Sequence, residues 1–234
     1  MTLSFVIPAH NEEALIGATL RALRDAASQS GEPFELVVVD DGSTDRTAEI
    51  ASSEGARVVR IERRQIAAAR NAGAAAAAGD AFIFVDADTI VPAATVRGVV
   101  TALREGAAAG GAPANLPDGE PLWARAAWAP FQWAMIPLRM PGGAFMFTTR
   151  AAFEAAGGFD ERYFAGEEIF FGRKLKRTGP FRMIRPAVIT SGRKFRLLGM
   201  RGTFRQWVRL AVRGPSALRS RTHLGFWYDR HRDK

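Results

Sequence analysis

Cysteine is absent from this 234-residue sequence, which excludes disulfide bonds and thiolate metal sites and gives no sign of an oxidising compartment. Apolar runs of about 18 residues are also missing, so a membrane-spanning helix is not expected. No basic stretch precedes the first apolar run, at 3–7, and a signal peptide is therefore not expected. The rest is an ordinary globular composition, 47% hydrophobic and 24% charged, at a length that suits one domain with at most a small addition.

Acidic residues are scarce in the last fifty positions. Residues 185–234 hold 13 Lys and Arg against two acids, a net charge of +11, whereas residues 1–184 hold 19 bases and 22 acids, a net charge of −3. This asymmetry indicates contact with an anionic partner such as membrane lipid, nucleic acid or phosphate; a solvated basic face without a partner is the alternative. We expect a cytoplasmic protein whose basic segment allows peripheral contact with the inner face of the cell membrane.

Apolar runs alternate with helical patterns over the first 105 residues. Strands are predicted at 3–7, 34–39, 57–61 and 81–85, and helices at about 12–27, 44–53, 66–78 and 92–104. Strands without polar alternation are typical of a parallel sheet that is buried on both faces. We therefore predict an α/β fold, a three-layer α/β/α sandwich with a mostly parallel sheet. Later elements are predicted as a helix at 167–177, a strand at 181–190 and a basic helix at 203–212.

Polar clusters follow three of the four predicted strands, at Pro8–Glu12, Asp40-Asp41 and Asp86-Ala-Asp88. Ligands of such sheets bind outside the carboxyl ends of the strands, so one crevice is expected to collect all three clusters. Asp86 and Asp88 project the same way if their backbone stays extended, and together with a pyrophosphate they would hold Mg²⁺ or Mn²⁺. Capping of a helix by strand-end aspartates is the alternative.

Three further groups carry candidate chemistry. Asp41, and Asp40 after it, are acceptors suited to a nucleotide base or ribose, although the same segment is also good turn chemistry. Arg70 is the one charged residue between 66 and 78 and reaches either a nucleotide or Asp86, unless it is an ordinary helix-surface arginine. Glu168, oriented by Glu167, is the candidate base that deprotonates an acceptor hydroxyl; alternatively, both acids only favour a helix N-terminus.

Five segments, taken in order, resemble the family 2 glycosyltransferases of the GT-A fold, and the resemblance covers about 3–178. They are Val6–Glu13, Val38–Asp45, Ala69–Gly73, Val85–Asp88 and Gly157–Glu161 with Gly166–Glu168. The resemblance implies that a nucleotide-sugar is bound by Pro8, Ala9, His10, Glu12, Asp40, Asp41, Arg70 and Asp86. It also implies that Asp86 and Asp88 bind the metal, that Glu168 is the base, and that Gly142 and Gly143 lie in the acceptor loop.

Three departures from the family pattern refine this expectation. The base is Glu168 where the family usually has Asp, and His10 replaces an aromatic residue that is often Tyr. The Gln-x-x-Arg-Trp motif of processive members is missing, which favours single addition. His223 or His231 would complete the metal shell, as a late histidine does in related enzymes; a surface histidine in a basic tail is the alternative.

The expected protein is therefore an inverting, metal-dependent, non-processive glycosyltransferase. It acts on an unidentified hydroxyl acceptor, for which a lipid-linked molecule is one candidate. Residues 1–105 would form its nucleotide-binding half, residues 106–184 its acceptor-binding half, and residues 185–234 a basic helical C-terminal segment. No nucleic-acid partner is expected. Two alternatives remain open: a nucleotidyltransferase of similar fold, and a non-catalytic module that binds membranes or nucleic acid.

Overall fold

The computed structural model describes residues 1–140, 142–213 and 218–219, and of residues 131–135, 194 and 206–213 it describes the backbone only. The first half contains β1 Leu3–Ala9, α1 Ile16–Ser28, β2 Phe34–Asp41, α2 Thr47–Ser53, β3 Arg57–Ile61, α3 Ile66–Ala76, β4 Ala81–Val85, β5 Thr89–Ile90 and α4 Ala93–Arg104. The second half contains β6 Ala109–Gly111, β7 Ala114–Asn115, α5 Leu122–Met135, β8 Phe145–Thr149, α6 Arg150–Ala156, α7 Glu167–Leu175, β9 Phe181–Met183, β10 Val188–Thr190 and α8 Arg193–Arg213.

Within the described residues, seven strands form the main sheet, in the order β3-β2-β1-β4-β8-β6-β9. The strands β1 to β4 pair in parallel, and β8 runs antiparallel to both of its neighbours. Alternate residues of each strand point to opposite faces, so Phe5 packs with the layer of α1 and α4 while Val6 packs with the layer of α3 and α7. The predicted three-layer, mostly parallel sandwich is confirmed.

The four first-half strands were predictable because each contains a short apolar run, although β3 also carries Arg57 and Arg60. Two helices begin later than their patterns indicate: α1 at Ile16 instead of about 12, and α2 at Thr47 instead of about 44. The reason is that Ser43 and Thr44 pair with Asn11 across the strand ends, with Thr44 N donating to Asn11 Oδ1 at 2.8 Å. These contacts between the loop after β1 and the loop after β2 explain why both helices begin later in the chain than predicted.

The single strand predicted over 181–190 is wrong. β9 lies in the main sheet beside β6, whereas β10 lies in a second sheet of order β5-β10-β7. Pro186 stands between them, and because proline has no N–H it interrupts a strand ladder. The second sheet carries the chain back to the strand ends, where Ser191 N donates to Asp88 O at 3.1 Å.

The last helix, α8, packs against α5 and is bent. Gly199 has φ 60° and ψ 176°, which is not helical, so two helical stretches meet there. In the first stretch Phe195 lies edge-on to Trp123 and Trp128, with ring centroids 6.1 and 5.8 Å apart. Trp128 also donates from Nε1 to Ala114 O at 2.6 Å, which ties α5 to β7. Among the described residues no helix combines the length and apolarity needed to cross a bilayer.

Candidate active site

The two aspartates after β4 lie in a turn. Asp86 O accepts from Thr89 N at 3.1 Å, so the extended backbone assumed for the pair is not formed. The turn arises because β5 pairs with β10 immediately after it. Asp86 Oδ1 lies 3.0 Å from Arg70 Nη2, and Asp88 Oδ2 lies 4.0 Å from Arg193 Nη2. Both side chains keep some exposure, 27% for Asp86 and 17% for Asp88, so a ligand in the cleft can reach them.

Arg70 is the centre of a buried charge cluster. Its side chain is 2% exposed and donates to Glu167 Oε1 at 2.6 Å and to Asp86 Oδ1 at 3.0 Å. A third bond runs to Gly143 O at 2.7 Å. Burial opposes the charge of this guanidinium, yet the carboxylates of Glu167 and Asp86 raise the pKa of Arg70 above its usual value. One arginine of α3 thereby joins the β4 turn, the loop before β8 and the start of α7.

Glu168 lies beside this cluster, half-buried at the start of α7. Its burial and the adjacent Glu167 raise the pKa of Glu168 to about 8, while Arg70 opposes the rise. The Gly143 loop passes over it, since a Cβ on Gly143 would lie 3.5 Å from Glu168 Cδ. A Cβ on Gly142 would meet no described atom within 4 Å, so this position faces open space. The predicted base and the predicted acceptor loop are therefore adjacent.

Asn71 fastens the glycine-rich segment at 157–161 to α3. Its amide accepts from Phe159 N and donates to Phe159 O, both at 2.9 Å, as a paired backbone clamp. Gly158 has φ 65°, and a Cβ there would lie 2.9 Å from Asn71 Oδ1, so the close approach requires glycine. Phe159 in turn packs near Arg70, whose Cζ lies 5.2 Å from the ring centroid. The Arg-Asn pair thus positions two different parts of the site.

Asp41 accepts three backbone N–H groups. Arg63 and Arg64 donate to its Oδ1 and Gln65 to its Oδ2, each at 2.7 Å. These amides precede α3, so Asp41 holds the loop that leads into the helix of Arg70. Its predicted contact with the nucleotide base stays a prediction, and the carboxylate has this second task whether or not it makes that contact. Asp40, also buried, accepts from Ser43 N at 3.1 Å through Oδ1.

The segment after β1 lies where the resemblance implies nucleotide contacts. The strand register sets Pro8 opposite Val39 and Ala9 opposite Asp40, so both stand at the end of β2. His10 Nε2 contacts Arg64 Nη1 at 2.5 Å. We call the region at the ends of β1, β2 and β4 the strand-end cleft; these positions belong to it, and their nucleotide contacts remain predictions.

Arg193 is a site residue that the sequence analysis did not single out. Its Nη2 donates to Glu12 Oε1 at 2.6 Å and lies 4.0 Å from Asp88 Oδ2. Glu12 is buried and accepts from this guanidinium, and its predicted contact with the nucleotide stays a prediction. The carboxylates of Glu12 and Asp88 raise the pKa of Arg193 against the effect of burial. The sequence pattern places Arg193 only within the basic segment 185–234, and it is the pairing of β10 with β5 that brings this residue to the cleft.

The predicted donor set for a divalent ion is the carboxylates of Asp86 and Asp88, oxygen ligands of the kind that Mg²⁺ and Mn²⁺ prefer. In the described part of the chain no group of three or more His, Asp or Glu side chains is arranged to hold an ion. Two protein carboxylates fit an ion whose other ligands are diphosphate oxygens and water. His223 and His231, considered as further ligands, lie outside the described residues.

The profile of the family described as Glycosyl transferase family 2 matches residues 4–189. The chain belongs to this family. Undecaprenyl-phosphate 4-deoxy-4-formamido-L-arabinose transferase of Pseudomonas aeruginosa is 39% identical over 110 residues, 44% of this chain and 32% of that protein. Validoxylamine A glucosyltransferase of Streptomyces hygroscopicus subsp. limoneus is 35% identical over 120 residues, 49% and 25% respectively. The chain spans about a third or less of the length of these curated relatives.

Solved structures confirm the GT-A fold. TarS of S. aureus in complex with UDP superposes with a TM-score of 0.64 at 19% identity, over 82% of this chain and 60% of that one. Glucosyl-3-phosphoglycerate synthase of Mycobacterium tuberculosis, in complex with Mn²⁺, UDP and glucosyl-3-phosphoglycerate, superposes with a TM-score of 0.58 at 26% identity, over 90% and 78%. The family prediction made from five motifs is thereby confirmed.

Proposed function

We propose that this protein is an inverting, metal-dependent glycosyltransferase that moves one sugar from a nucleotide-sugar to an acceptor hydroxyl. The cluster around Arg70 carries the proposal, because it joins Asp86, Glu167 and the Gly143 loop beside Glu168. Chemistry-bearing carboxylates from separate motifs thus share one cleft. Membership of family 2 supports the same reaction class.

Glu168 is the proposed base. Its carboxylate takes the proton of the acceptor hydroxyl, and the hydroxyl oxygen forms a new bond to the anomeric carbon. The bond from that carbon to the donor diphosphate breaks on the opposite face, and its electron pair leaves with the nucleoside diphosphate. Inversion follows from this single displacement, and NMR of the product's anomeric proton tests it. A product with the donor's configuration would contradict the mechanism.

Arg70 is a positioning residue in this scheme. It fixes Asp86 through Nη2 and Glu167 through Nη1, so both acids keep one orientation in the absence of substrate. Its bond to Gly143 O also fixes the loop that passes over Glu168. Such prior ordering lowers the cost of organising the site when substrates bind.

Asp86 and Asp88 are the residues that would hold the Mn²⁺ or Mg²⁺ ion. A bound divalent ion neutralises the charge that develops on a leaving diphosphate. The mycobacterial synthase, solved with Mn²⁺ and UDP, supports this assignment by analogy. TarS is also solved with UDP and with UDP-GlcNAc, so we infer a UDP-sugar as the first donor to test.

A thermal-shift panel tests donor and metal together. UDP-, GDP-, dTDP- and CMP-sugars are each added with and without Mn²⁺ to the wild type, to Asp88→Asn and to Asp25→Asn. Asp25 is the matched control because it is an exposed acid on α1. We expect one nucleotide to stabilise the protein only with Mn²⁺, and Asp88→Asn alone to lose that response. If no nucleotide-sugar stabilised the wild type with any ion, the proposal would fail.

The acceptor side of the proposal concerns single addition and a lipid-linked hydroxyl. In this proposal residues 1–105 bind the donor, residues 106–184 bind the acceptor, and the basic segment 185–234 supplies the charge for peripheral contact with a membrane. The Pseudomonas relative, by its name, acts on undecaprenyl phosphate, which supports a lipid-linked acceptor for this chain too. Mass spectrometry of products from a lipid-phosphate acceptor tests both points: addition of one sugar is expected, and a ladder of additions would contradict non-processivity.

A further inference from the structure

The outer face of α8 beyond its bend is an unusual surface. We define the α8 outer face as Met200, Arg201, Phe204 and Arg205, all of them exposed. Their spacing of four residues places them on one side of a continuous helical stretch. The opposite side is turned inward, since Thr203 is buried and donates to Gly199 O at 2.9 Å. One side of this stretch is therefore buried, whereas the four residues of the α8 outer face are exposed.

Large apolar side chains are exposed on this face. Phe204 is 69% and Met200 61% exposed, and Leu197, just before the bend, is 53% exposed. Single exposed apolar residues are ordinary on protein surfaces, but neighbouring ones on one helix side indicate a surface that is covered by a partner. Arg201 and Arg205 stand next to them, and neither forms an ion pair within the described residues.

The charge of the sequence segment that contains α8 indicates the partner's chemistry. Residues 185–228 contain ten Lys and Arg and no Asp or Glu. A basic stripe beside Phe and Met on one helix is typical of helices that lie in the headgroup region of anionic bilayers. Anionic lipid complements this charge, whereas an apolar protein partner alone would leave the arginines without counterions.

We propose that the α8 outer face docks on an anionic lipid bilayer, with Phe204 and Met200 inserted and Arg201 and Arg205 against lipid phosphates. The helical stretch of α8 before the bend begins at Arg193, which pairs with Glu12 and lies near Asp88. Docking therefore holds the strand-end cleft beside the bilayer, where the head of a lipid-linked acceptor lies. This use of the surface rests on the proposed function; the docking itself does not.

Vesicle flotation of the full chain tests the docking. The protein is mixed with vesicles of phosphatidylcholine alone or with about one-third phosphatidylglycerol, at low and at physiological salt. Arg201→Gln/Arg205→Gln is expected to lose about 25-fold in affinity for the anionic vesicles, because each basic residue near such a surface is worth about fivefold. Met200→Ser/Phe204→Ser is expected to bind anionic vesicles more weakly than the wild type even at low salt.

The matched control is Arg97→Gln/Arg177→Gln, which removes the same charge from exposed positions on other surfaces. It is expected to stay within twofold of the wild type. Equal losses in the control and in the Arg201/Arg205 variant would overturn the proposal, because charge alone would then explain binding. Tighter binding to RNA than to anionic vesicles at the same salt, or no vesicle binding by the wild type, would also overturn it.

Failure of docking and failure of catalysis are separable in this design. Glu168→Gln is expected to float with vesicles like the wild type, since Glu168 lies in α7 within the cleft. The Arg201→Gln/Arg205→Gln variant is expected to keep the wild-type thermal shift with the donor nucleotide. Loss of the nucleotide shift in the wild type contradicts the proposed enzyme, whereas loss of flotation in Glu168→Gln contradicts the docking surface.

Discussion

Arginine is buried and paired in the cluster around Arg70, whereas it is exposed on the α8 outer face. Arg70 is 2% exposed and bonded to two carboxylates and a carbonyl oxygen, whereas Arg201 and Arg205 are exposed. Burying a charge is costly unless partners are fixed around it, so the cleft has one defined arrangement. A solvated charge needs no internal partner and remains available to an external one. The comparison separates a preorganised charge cluster, the proposed catalytic region, from an exposed basic and apolar face, the proposed docking surface.

The largest expected effect is on the base. Glu168→Gln removes the proton acceptor but keeps the size of the side chain, so kcat is expected to fall by about 10³-fold. The donor-induced thermal shift is expected to stay near the wild-type value, because the proposed position of the donor is over the strand ends. Glu105→Gln, an exposed acid after α4, is the control. A variant that kept more than a tenth of wild-type kcat would remove Glu168 from this role.

The next effect concerns the buried cluster itself. Arg70→Met leaves Glu167 buried without its cation, and the free energy of unfolding is expected to fall by about 3–5 kcal/mol. Chemical denaturation at pH 7 measures the loss. Arg70→Lys, which keeps the charge but not the fork of donors, is expected to recover part of the stability and to lower kcat more than it raises KM. Neutral substitution at Arg201 is expected to change stability by less than about 0.5 kcal/mol.

The pH dependence of activity follows from the raised pKa of Glu168. With a pKa of about 8, Glu168 in the free enzyme is mostly protonated at pH 7 and mostly ionised at pH 9. The base acts when ionised, so kcat/KM is expected to rise about tenfold between these pH values. A profile that is flat from pH 7 to 9 with a UDP-sugar as donor would contradict a base with this pKa.

Glu168 also makes the free energy of unfolding depend on pH. This contribution falls as the pH rises, whereas kcat/KM is expected to rise. The pKa of Glu168 in the folded protein is raised from 4.5 to about 8, so the folded state binds the extra proton between these values. Its contribution to stability is complete below about pH 4.5 and is lost as the pH rises through about 8. In Glu168→Gln this part of the pH dependence is expected to disappear, which denaturation at pH 6 and pH 9 would show.

The smallest expected effect concerns Arg193, the arginine that lies between the two regions. Its guanidinium lies 4.0 Å from Asp88 and opposes a second cation there. Arg193→Gln is expected to tighten Mn²⁺ binding about fivefold, as titration calorimetry without nucleotide would show. Unchanged or weaker Mn²⁺ binding would contradict the claim that the Arg193 guanidinium opposes a cation at Asp88. Arg196→Gln is the control, because that arginine pairs with Glu120 instead.

Much of the first half was predictable because its signals are local. Strands β1 to β4 are short runs in which apolar residues predominate, and the polar residues at the ends of β1, β2 and β4 mark one edge of a parallel sheet. The secondary structure of the second half was harder to predict from the sequence. Splitting of 181–190 between two sheets depends on Pro186 and on pairing partners far away in the chain.

The candidate site shows the same division. Asp86, Asp88 and Glu168 were identified by residue type and order, and the structure sets Asp86 and Glu168 around Arg70. The bend at Asp86–Thr89 was not predictable, since it is imposed by β5 pairing with β10. Arg193 was missed because no local pattern distinguishes it from the other arginines of a basic segment.

The sequence by itself determined the fold class, the family and the residue types that carry the chemistry, since these depend on local periodicity and motif order. The tertiary structure alone decided which carboxylates share Arg70, that Asn71 clamps Phe159, and that Arg193 reaches Glu12. The Arg70–Glu167, Asn71–Phe159 and Arg193–Glu12 contacts each join residues at least 88 positions apart, whereas Arg70 and Asp86 are 16 positions apart. Such pairings follow from how strands close into sheets, and no local signal in the chain encodes them.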